Sequence, residues 1–493
     1  METEEQRKRI LNENPWKILI DFSWPAVLAM FLLGANNVLD GIFVGHFAEP
    51  DSLAGISIAL PAVIILVGFG LLIGTGAGSL LSIAIGAGDT DIRQKLLGNV
   101  NTLAVLTSLA VMLLGLAFSH QLLFAMGGRD NSLALGESYY RTLLWGAPLW
   151  IYSVALNSLI RAEGNMKTSA VIMAIGLVTN GISNYVLMVL LGQGIKGAAI
   201  GTNIGMAVQS LIGMLYMGYS SLARERKGYP SAEKPPILLW KVCAIRFDRR
   251  IIAKMIPMGL SAFIMQIMMV LQSMLVLNVI TRYGTAHDTA FYGIVIRLFS
   301  FVVQPLAGFM IAMPPIIGIN FGAAQAERVI RFFKCFLTAA LIFVLPFWFF
   351  MLTVPKMAAG LMMNSAEISA ENITQFRVYM ALLPVMPISF LALGFFPAIN
   401  KGNVSSILAL LQQVVLYVPI MLLLPFFSGV HGVYYGTLII ELVTGIPILI
   451  LIRREFGLLR TGATKWQTDT AESLSLHIGS DKRSAEQPEN GID

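Results

Sequence analysis

Chemistry in this chain is confined to a few oxygen-bearing side chains set in apolar sequence. Asp40 stands in the run Val38-Leu39-Asp40-Gly41, Asn180 and Asn184 are four residues apart, and Thr202 follows Gly201. A carboxylate, two amides and a hydroxyl are hard oxygen donors and proton acceptors, a set that suits Na⁺ or H⁺. On a helix the i, i+4 spacing puts Asn180 and Asn184 on one face. The same amides and hydroxyl could also serve as interhelical hydrogen-bond partners, and residue type alone leaves both roles open.

Two further ionisable groups lie in apolar runs, Arg297 and Glu441. Counted at 1.5 Å per residue they sit roughly 12 Å and 15 Å from the same face, against roughly 9 Å for Asp40. Opposite signs at matching depth predict an Arg297–Glu441 ion pair, because a lone charge in a low-dielectric interior is costly. The chain holds no His-Glu-x-x-His or Gly-x-Ser-x-Gly and only five His, which leaves an embedded enzyme without machinery. The glycine run Gly68-Phe-Gly70…Gly74-Thr-Gly76-Ala-Gly78 resembles a phosphate loop but lacks the Gly-Lys-Ser/Thr ending, and close helix packing explains it better. Methionines such as Met265, Met268 and Met269 are read as core or lipid-facing before pocket.

The elements that carry these groups must be membrane helices. Of 493 residues, 56% are hydrophobic and 13% charged, too apolar for a water-soluble globule. Charge-free runs such as 97–119, 168–195, 255–281 and 378–400 reach the roughly 20 residues a helix needs to cross hydrocarbon. They do not alternate as barrel strands would. The length criterion gives about twelve spans, near 16–46, 53–85, 97–119, 134–160, 168–191, 196–220, 251–282, 289–316, 331–353, 372–398, 404–428 and 432–452. Lys and Arg concentrate in the even-numbered connections and the tails, among them Arg7, Arg93, Lys95, Lys167, Arg249, Arg328, Lys401 and Arg453. The positive-inside rule then places both termini in the cytoplasm. The net charge of +6 is explained by topology and calls for no nucleic-acid partner. The first span has no cleavable-signal pattern, and Cys243 and Cys335 predict no disulfide.

The chain is also written twice. Gly194-x-x-Gly197-x-x-x-Gly201-Thr202 recurs as Gly429-x-x-Gly432-x-x-x-Gly436-Thr437, an offset of 235 residues. Pro25 pairs with Pro257, Tyr140-Arg141 with Phe376-Arg377, and Asp40 with Gln272. An even six spans per copy makes the repeats parallel. The predicted organisation is a six-helix lobe over 1–220, a cytoplasmic linker over 221–250, a second lobe over 251–455 and a disordered tail over 456–493. A carboxylate held in only one copy of a duplicated position marks that position for function.

Taken in order, Pro25, Val38-Leu39-Asp40-Gly-Ile-Phe-Val-Gly45-His46, Ile85-Gly86-Ala87-Gly88, Arg161-Ala-Glu163-Gly164-Asn165, Asn180 and Gly194-x-x-Gly197-Ala-Ala resemble the MATE (multidrug and toxic-compound extrusion) family, most of all its prokaryotic DinF-type branch, over about 16–454. The resemblance implies an all-α polytopic membrane protein whose two lobes form a V around a central cavity. It implies export of amphipathic cationic drugs in exchange for H⁺ or Na⁺ with no other cofactor, by a monomer in the inner (plasma) membrane. It maps the family's first-span Pro and Asp onto Pro25, as a helix hinge, and Asp40, and its ion-site Asn and Thr onto Asn180 and Thr202. Where relatives carry an acid four residues after the Asn, this chain has Asn184, which weakens tight Na⁺ binding and leaves proton coupling open. Gln272, Arg297 and Glu441 form the second lobe's polar set. The rivals are a lipid-linked sugar flippase, which should line its cavity with several Arg or Lys, and a non-transporting scaffold or channel.

Overall fold

The computed structural model describes residues 2–48, 52–126, 128–225, 244–360 and 368–463, all of them helical or in short connections. Helix α1 (Glu2–Asn12) precedes the first lobe, which comprises α2 (Pro15–Phe47), α3 (Ser52–Ala87), α4 (Thr90–Ala125), α5 (Asp130–Trp145), α6 (Ala147–Ala162), α7 (Met166–Asn184) and α8 (Gly194–Glu225). The second comprises α9 (Arg249–Tyr283), α10 (Ala286–Gly322), α11 (Ala326–Thr353), the short α12 (Pro355–Gly360), α13 (Ala370–Met380), α14 (Met386–Ala398), α15 (Gly402–Leu410), α16 (Tyr417–Ser428) and α17 (His431–Thr461).

Ten helical stretches among the described residues are long and apolar enough to span a bilayer. The two remaining spans are broken at matching places. In the first lobe α5 and α6 meet at 58°, at Gly146. In the second, α13 and α14 are separated by the turns at 381–385. The sequence predicts continuous helices over 134–160 and 372–398. Proline breaks them: Pro148 and Pro387 open α6 and α14, and Pro384 lies in the second break, each removing a backbone donor and disfavouring helix in the residue before it. The fifth span of each lobe also loosens into a π-helical segment, Tyr185–Leu190 after α7 and Leu411–Leu416 between α15 and α16. Such segments re-aim side chains and cluster at functional sites.

The duplication holds at atomic detail. Arg141 on α5 donates to the Leu116 carbonyl of α4 and Arg377 on α13 to the Leu352 carbonyl of α11, each reaching back 25 residues to the preceding long helix. The lobes join where α3 crosses α10 near their ends. A Cβ on Gly318 would lie 2.0 Å from Ser82 Oγ, one on Gly86 2.1 Å from the Ile319 carbonyl oxygen, and one on Gly322 2.0 Å from that of Ile83. Equivalent residues thus face each other across a pseudo-twofold axis, and only glycine admits the approach. The flanking contacts match as well: a Cβ on Gly259 would meet Leu72, and one on Gly308 would meet Val27, two residues from Pro25. The glycine run in α3 packs helices as well, as the sequence predicted: a Cβ on Gly70 would meet Val154, one on Gly74 Ser158 and one on Gly76 the Met255 carbonyl.

Two straps cross this junction. Arg328 at the start of α11 donates to the Ile10 and Glu13 carbonyls of the α1 end, at 2.7 and 2.9 Å, and to Asn320 Oδ1. Within that strap Arg9 is ion-paired to Glu13 and Asp21, which holds its guanidinium above the usual arginine range, Glu13 contributing most. Reciprocally, 244–248 runs along α4: Asn101 donates to the Ala244 carbonyl, Thr102 to that of Arg246, and Asn99 Oδ1 accepts from the Asp248 N–H. Most of the predicted linker lies outside the described residues. The tail assignment is corrected at its start, because α17 continues to Thr461. Phe456 stacks edge-on against Phe333 and Phe395, Leu459 is buried, and Glu455 receives Lys401 at 2.7 Å, so these residues do bury apolar area.

Candidate functional site

In the first lobe α7 and α8 approach through a register of glycines. Gly176 lies against Gln209, Asn180 against Gly205, Asn184 against Gly201 and Met188 against Gly197. Each step of four along one helix is matched by a step of four back along the other, and every pair spends one glycine to let the other residue reach the facing backbone. This zipper fixes the amides. Asn180, buried, donates through Nδ2 to Thr202 Oγ1 at 3.2 Å, and Thr202 donates in turn to the Ala198 carbonyl at 2.9 Å. Asn184, 1% exposed, presses its Oδ1 into the space over Gly201 one turn away. The expected grouping of Asn180 with Thr202 is thus a direct contact, and Asn184 lies on the same seam. Asp40 belongs to α2, which packs along α7 and touches α8 and the π segment; its side chain lies outside the described residues. Pro25 is buried inside α2, and its missing N–H leaves one turn of the helix a hydrogen bond short beside the lobe junction.

The second lobe differs from expectation. Glu441, 6% exposed, accepts from Ser389 Oγ at 2.5 Å and from Gln412 Nε2 at 2.7 Å. No Lys, Arg or His lies within ion-pair distance of it among the described residues. Arg297 is exposed, on the side of α10 away from the buried stripe Phe291, Val295, Leu298 and Val302. The Arg297–Glu441 pair is therefore not formed: the two match in depth but not in direction around their helix axes. Gln272, at the position equivalent to Asp40, donates through Nε2 to Gln413 of the π segment.

Ser389, Gln412 and Gln413 were missed in the sequence. The signal was present, since Gln412-Gln413 is an amide pair in the apolar run 404–428. The two adjacent amides divide their bonds between Glu441 and Gln272. Their place on a π segment, which resets the angular spacing of neighbouring side chains, accompanies this divergence.

Comparison with known proteins places this geometry. The chain is 24% identical over 438 residues to the multidrug export protein MepA of Staphylococcus saprophyticus subsp. saprophyticus, covering 89% of this chain and 93% of the relative. MepA of Staphylococcus aureus (strain MRSA252) is 25% identical over the same length and coverage. A crystal structure of MATE in the bent conformation superposes with a TM-score of 0.81 at 22% identity, over 92% of this chain and 98% of the other. A MOP superfamily transporter from Pyrococcus furiosus, described as having reverse polarity of its binding pocket, superposes at 0.80 with 21% identity and the same coverage. The MatE family model matches residues 25–186 and again 261–423, once in each six-helix lobe. Matched twice, at the two halves that the repeat and the pseudo-axis define, the chain belongs to the MatE family.

Proposed function

We propose that this protein exports small amphipathic organic cations across the inner (plasma) membrane in exchange for H⁺ or Na⁺, by alternating access and as a monomer. The observation that carries the reading is the first-lobe seam, where Asn180, Asn184 and Thr202 gather inside a membrane lobe beside α2, the helix that bears Asp40. Intramembrane polar clusters of this kind are expensive and mark ion paths. Asp40 supplies the charge that a proton or Na⁺ neutralises, and the seam oxygens complete the shell of a dehydrated cation. The relatives named as multidrug export proteins support the substrate class.

The junction at Gly86, Gly318 and Gly322 closes the end where α3 and α10 finish. With both termini cytoplasmic, that end is the inner one, and the protein stands ready to take an ion from outside. Ion uptake at Asp40 then alters how α2 lies against α7, Pro25 provides the bend, and substrate leaves outward.

The test is transport by purified protein in liposomes with pH and Na⁺ gradients imposed separately. Cation efflux driven by either gradient supports the reading, and none under both sinks it. The flippase alternative is not favoured: it calls for several Arg or Lys along the cavity, and among the described span residues the exposed Arg297 by itself does not supply them. If Arg297→Gln abolished binding of an anionic lipid-linked sugar while cation transport was absent, the flippase reading would replace this one.

A further inference from the structure

Each lobe carries its acid on a different helix. Asp40 lies on the first span of the first lobe, whereas the equivalent second-lobe residue is Gln272. Glu441 lies on the last span of the second lobe, and the repeat offset of 235 residues that aligns Thr202 with Thr437 puts Met206 at the corresponding place in the first. A buried glutamate needs a reason there, because a glutamine could keep both hydrogen bonds and an aliphatic residue could fill the space without the risk of an unpaired charge.

The surroundings suit both forms of the acid. As a carboxylate, Glu441 accepts the Ser389 O–H at Oε1 and the Gln412 N–H at Oε2, the bonds at 2.5 and 2.7 Å. On protonation an O–H bond forms at Oε1 as one O–H bond of a hydronium ion breaks, leaving water. That O–H donates to Ser389 Oγ, whose own hydrogen turns to the backbone carbonyl one turn back along its helix, as a helix-borne serine can, and Gln412 continues to donate to Oε2. A hydroxyl can reverse its role in this way, so neither state strands a buried group. A metal cation is disfavoured by the same geometry: it gathers about six oxygens, and Gln412 presents N–H here.

No fixed charge pins the acid in either form. On the helices around α17, charged groups sit near the ends: Glu371 and Arg377 on α13, Glu327, Arg328, Arg331 and Lys334 on α11, Arg249, Arg250, Lys254 and Arg282 on α9, and Arg453, Arg454, Glu455 and Arg460 on α17 itself. Asp288 stands at the start of α10, and Arg297 farther along it is exposed; α14, α15, the π segment and α16 carry none. The other titratable groups on these helices include His431 at the start of α17, paired with Glu371, His287 near the start of α10, Cys335 on α11, and the phenols Tyr434 two turns before Glu441, with Tyr292 and Tyr379 packed edge-on against it, and Tyr417 on α16.

We propose that Glu441, held by Ser389 and Gln412, is a second ion-binding site of this protein, taking a proton within the second lobe. Gln412 and Gln413 link it to Gln272, so the second lobe holds this acid on its last span, with a polar connection to the position equivalent to Asp40. Coupling of this proton to export rests on the proposed function; proton binding does not.

The test is infrared difference spectroscopy of purified protein across a pH titration, with no substrate or gradient present. A protonated-carboxyl stretching band that titrates in the wild type should disappear in Glu441→Gln, persist in Asp40→Asn, and shift to higher frequency in Ser389→Ala, where one hydrogen bond to the acid is lost. If Glu441→Gln cannot be purified folded, the Ser389→Ala shift decides. An unchanged set of bands in the purified Glu441→Gln protein, or in Ser389→Ala, overturns the site. Because the readout needs no transport, a failed liposome experiment leaves this result standing, and the loss of this band says nothing for or against drug export.

Discussion

The two lobes share a frame and differ in chemistry. Lobe one locks α7 and the π segment after it to α8 through four glycine-bearing pairs and sets Asn180, Asn184 and Thr202 on that seam. Lobe two keeps Gly432 and Gly436 on α17, yet its polar contacts radiate from the π segment, through Gln412 to Glu441 and through Gln413 to Gln272. Backbone packing has stayed close to symmetric, down to Arg141 and Arg377 each reaching a carbonyl 25 residues back. The charged groups have not. In a membrane, steric fit between helices specifies the frame, whereas a charge is kept only where it acts. Asymmetry in charge on a symmetric frame is therefore a guide to function.

The largest expected effect comes from removing the first-lobe acid. Asp40→Asn mimics a permanently neutral carboxyl and should lower gradient-driven export by at least about tenfold, with insertion and yield retained. Flux in liposomes measures it. Wild-type flux from a well-folded Asp40→Asn protein would shift the burden of coupling to lobe two.

Next in size is the seam itself. Gly201→Leu drives a side chain into Asn184 Oδ1, only 2.2 Å from where even a Cβ would lie. Overpacking of this kind costs about 1–3 kcal/mol. Gly436→Ala, whose Cβ would meet only flexible side-chain atoms at 3.2 Å and beyond, should cost less. Thermal unfolding of the two variants compares the lobes. Equal losses would mean that the tight seam belongs to the frame generally and does not serve the amides.

How much of this was legible beforehand follows from what sequence encodes. Helix rise converts residue number into depth, so the spans could be read from run lengths, the duplication from its repeated glycine motif, and the direct pairing of Asn180 with Thr202 only from the family resemblance. Depth carries no information on direction across a lobe, which is why Arg297 and Glu441 matched on paper and face different ways. The breaks at Gly146 and 381–385 had prolines to announce them, but apolar composition masked the signal. The π segments had none, since one extra residue in a turn leaves hydrophobicity unchanged.

A smaller effect should follow from restoring an acid beside Asn180. Asn184→Asp adds a carboxylate to a seam of neutral oxygens, and a hard cation gains from the charge. Na⁺ should then raise the unfolding temperature of the variant more than that of the wild type, with K⁺ as the control. No added Na⁺ stabilisation would separate Asn184 from the ion path. It would leave Asn184 as packing against Gly201.

The smallest expected effect tests the straps, where the lobes again correspond. The segment before each lobe's first span ties to the third helix of the other lobe: the end of α1 to Arg328 of α11, and 244–248 to Asn99, Asn101 and Thr102 of α4. Both lie at the closed end, so each favours closure by whatever its hydrogen bonds contribute, about 0.5–1.5 kcal/mol apiece and more where a charged donor is used. Arg328→Ala removes a guanidinium shared among two carbonyls and Asn320, whereas Thr102→Val removes one neutral donor. Hydrogen exchange should therefore quicken at residues 6–13 in Arg328→Ala more than it does at 244–248 in Thr102→Val. It should quicken as well at the α3–α10 crossing around Gly86 and Gly322, because a population open at that end exposes both sides of the junction. Faster exchange in α1 with an unchanged crossing would make the strap a local anchor that bears no part of the closure.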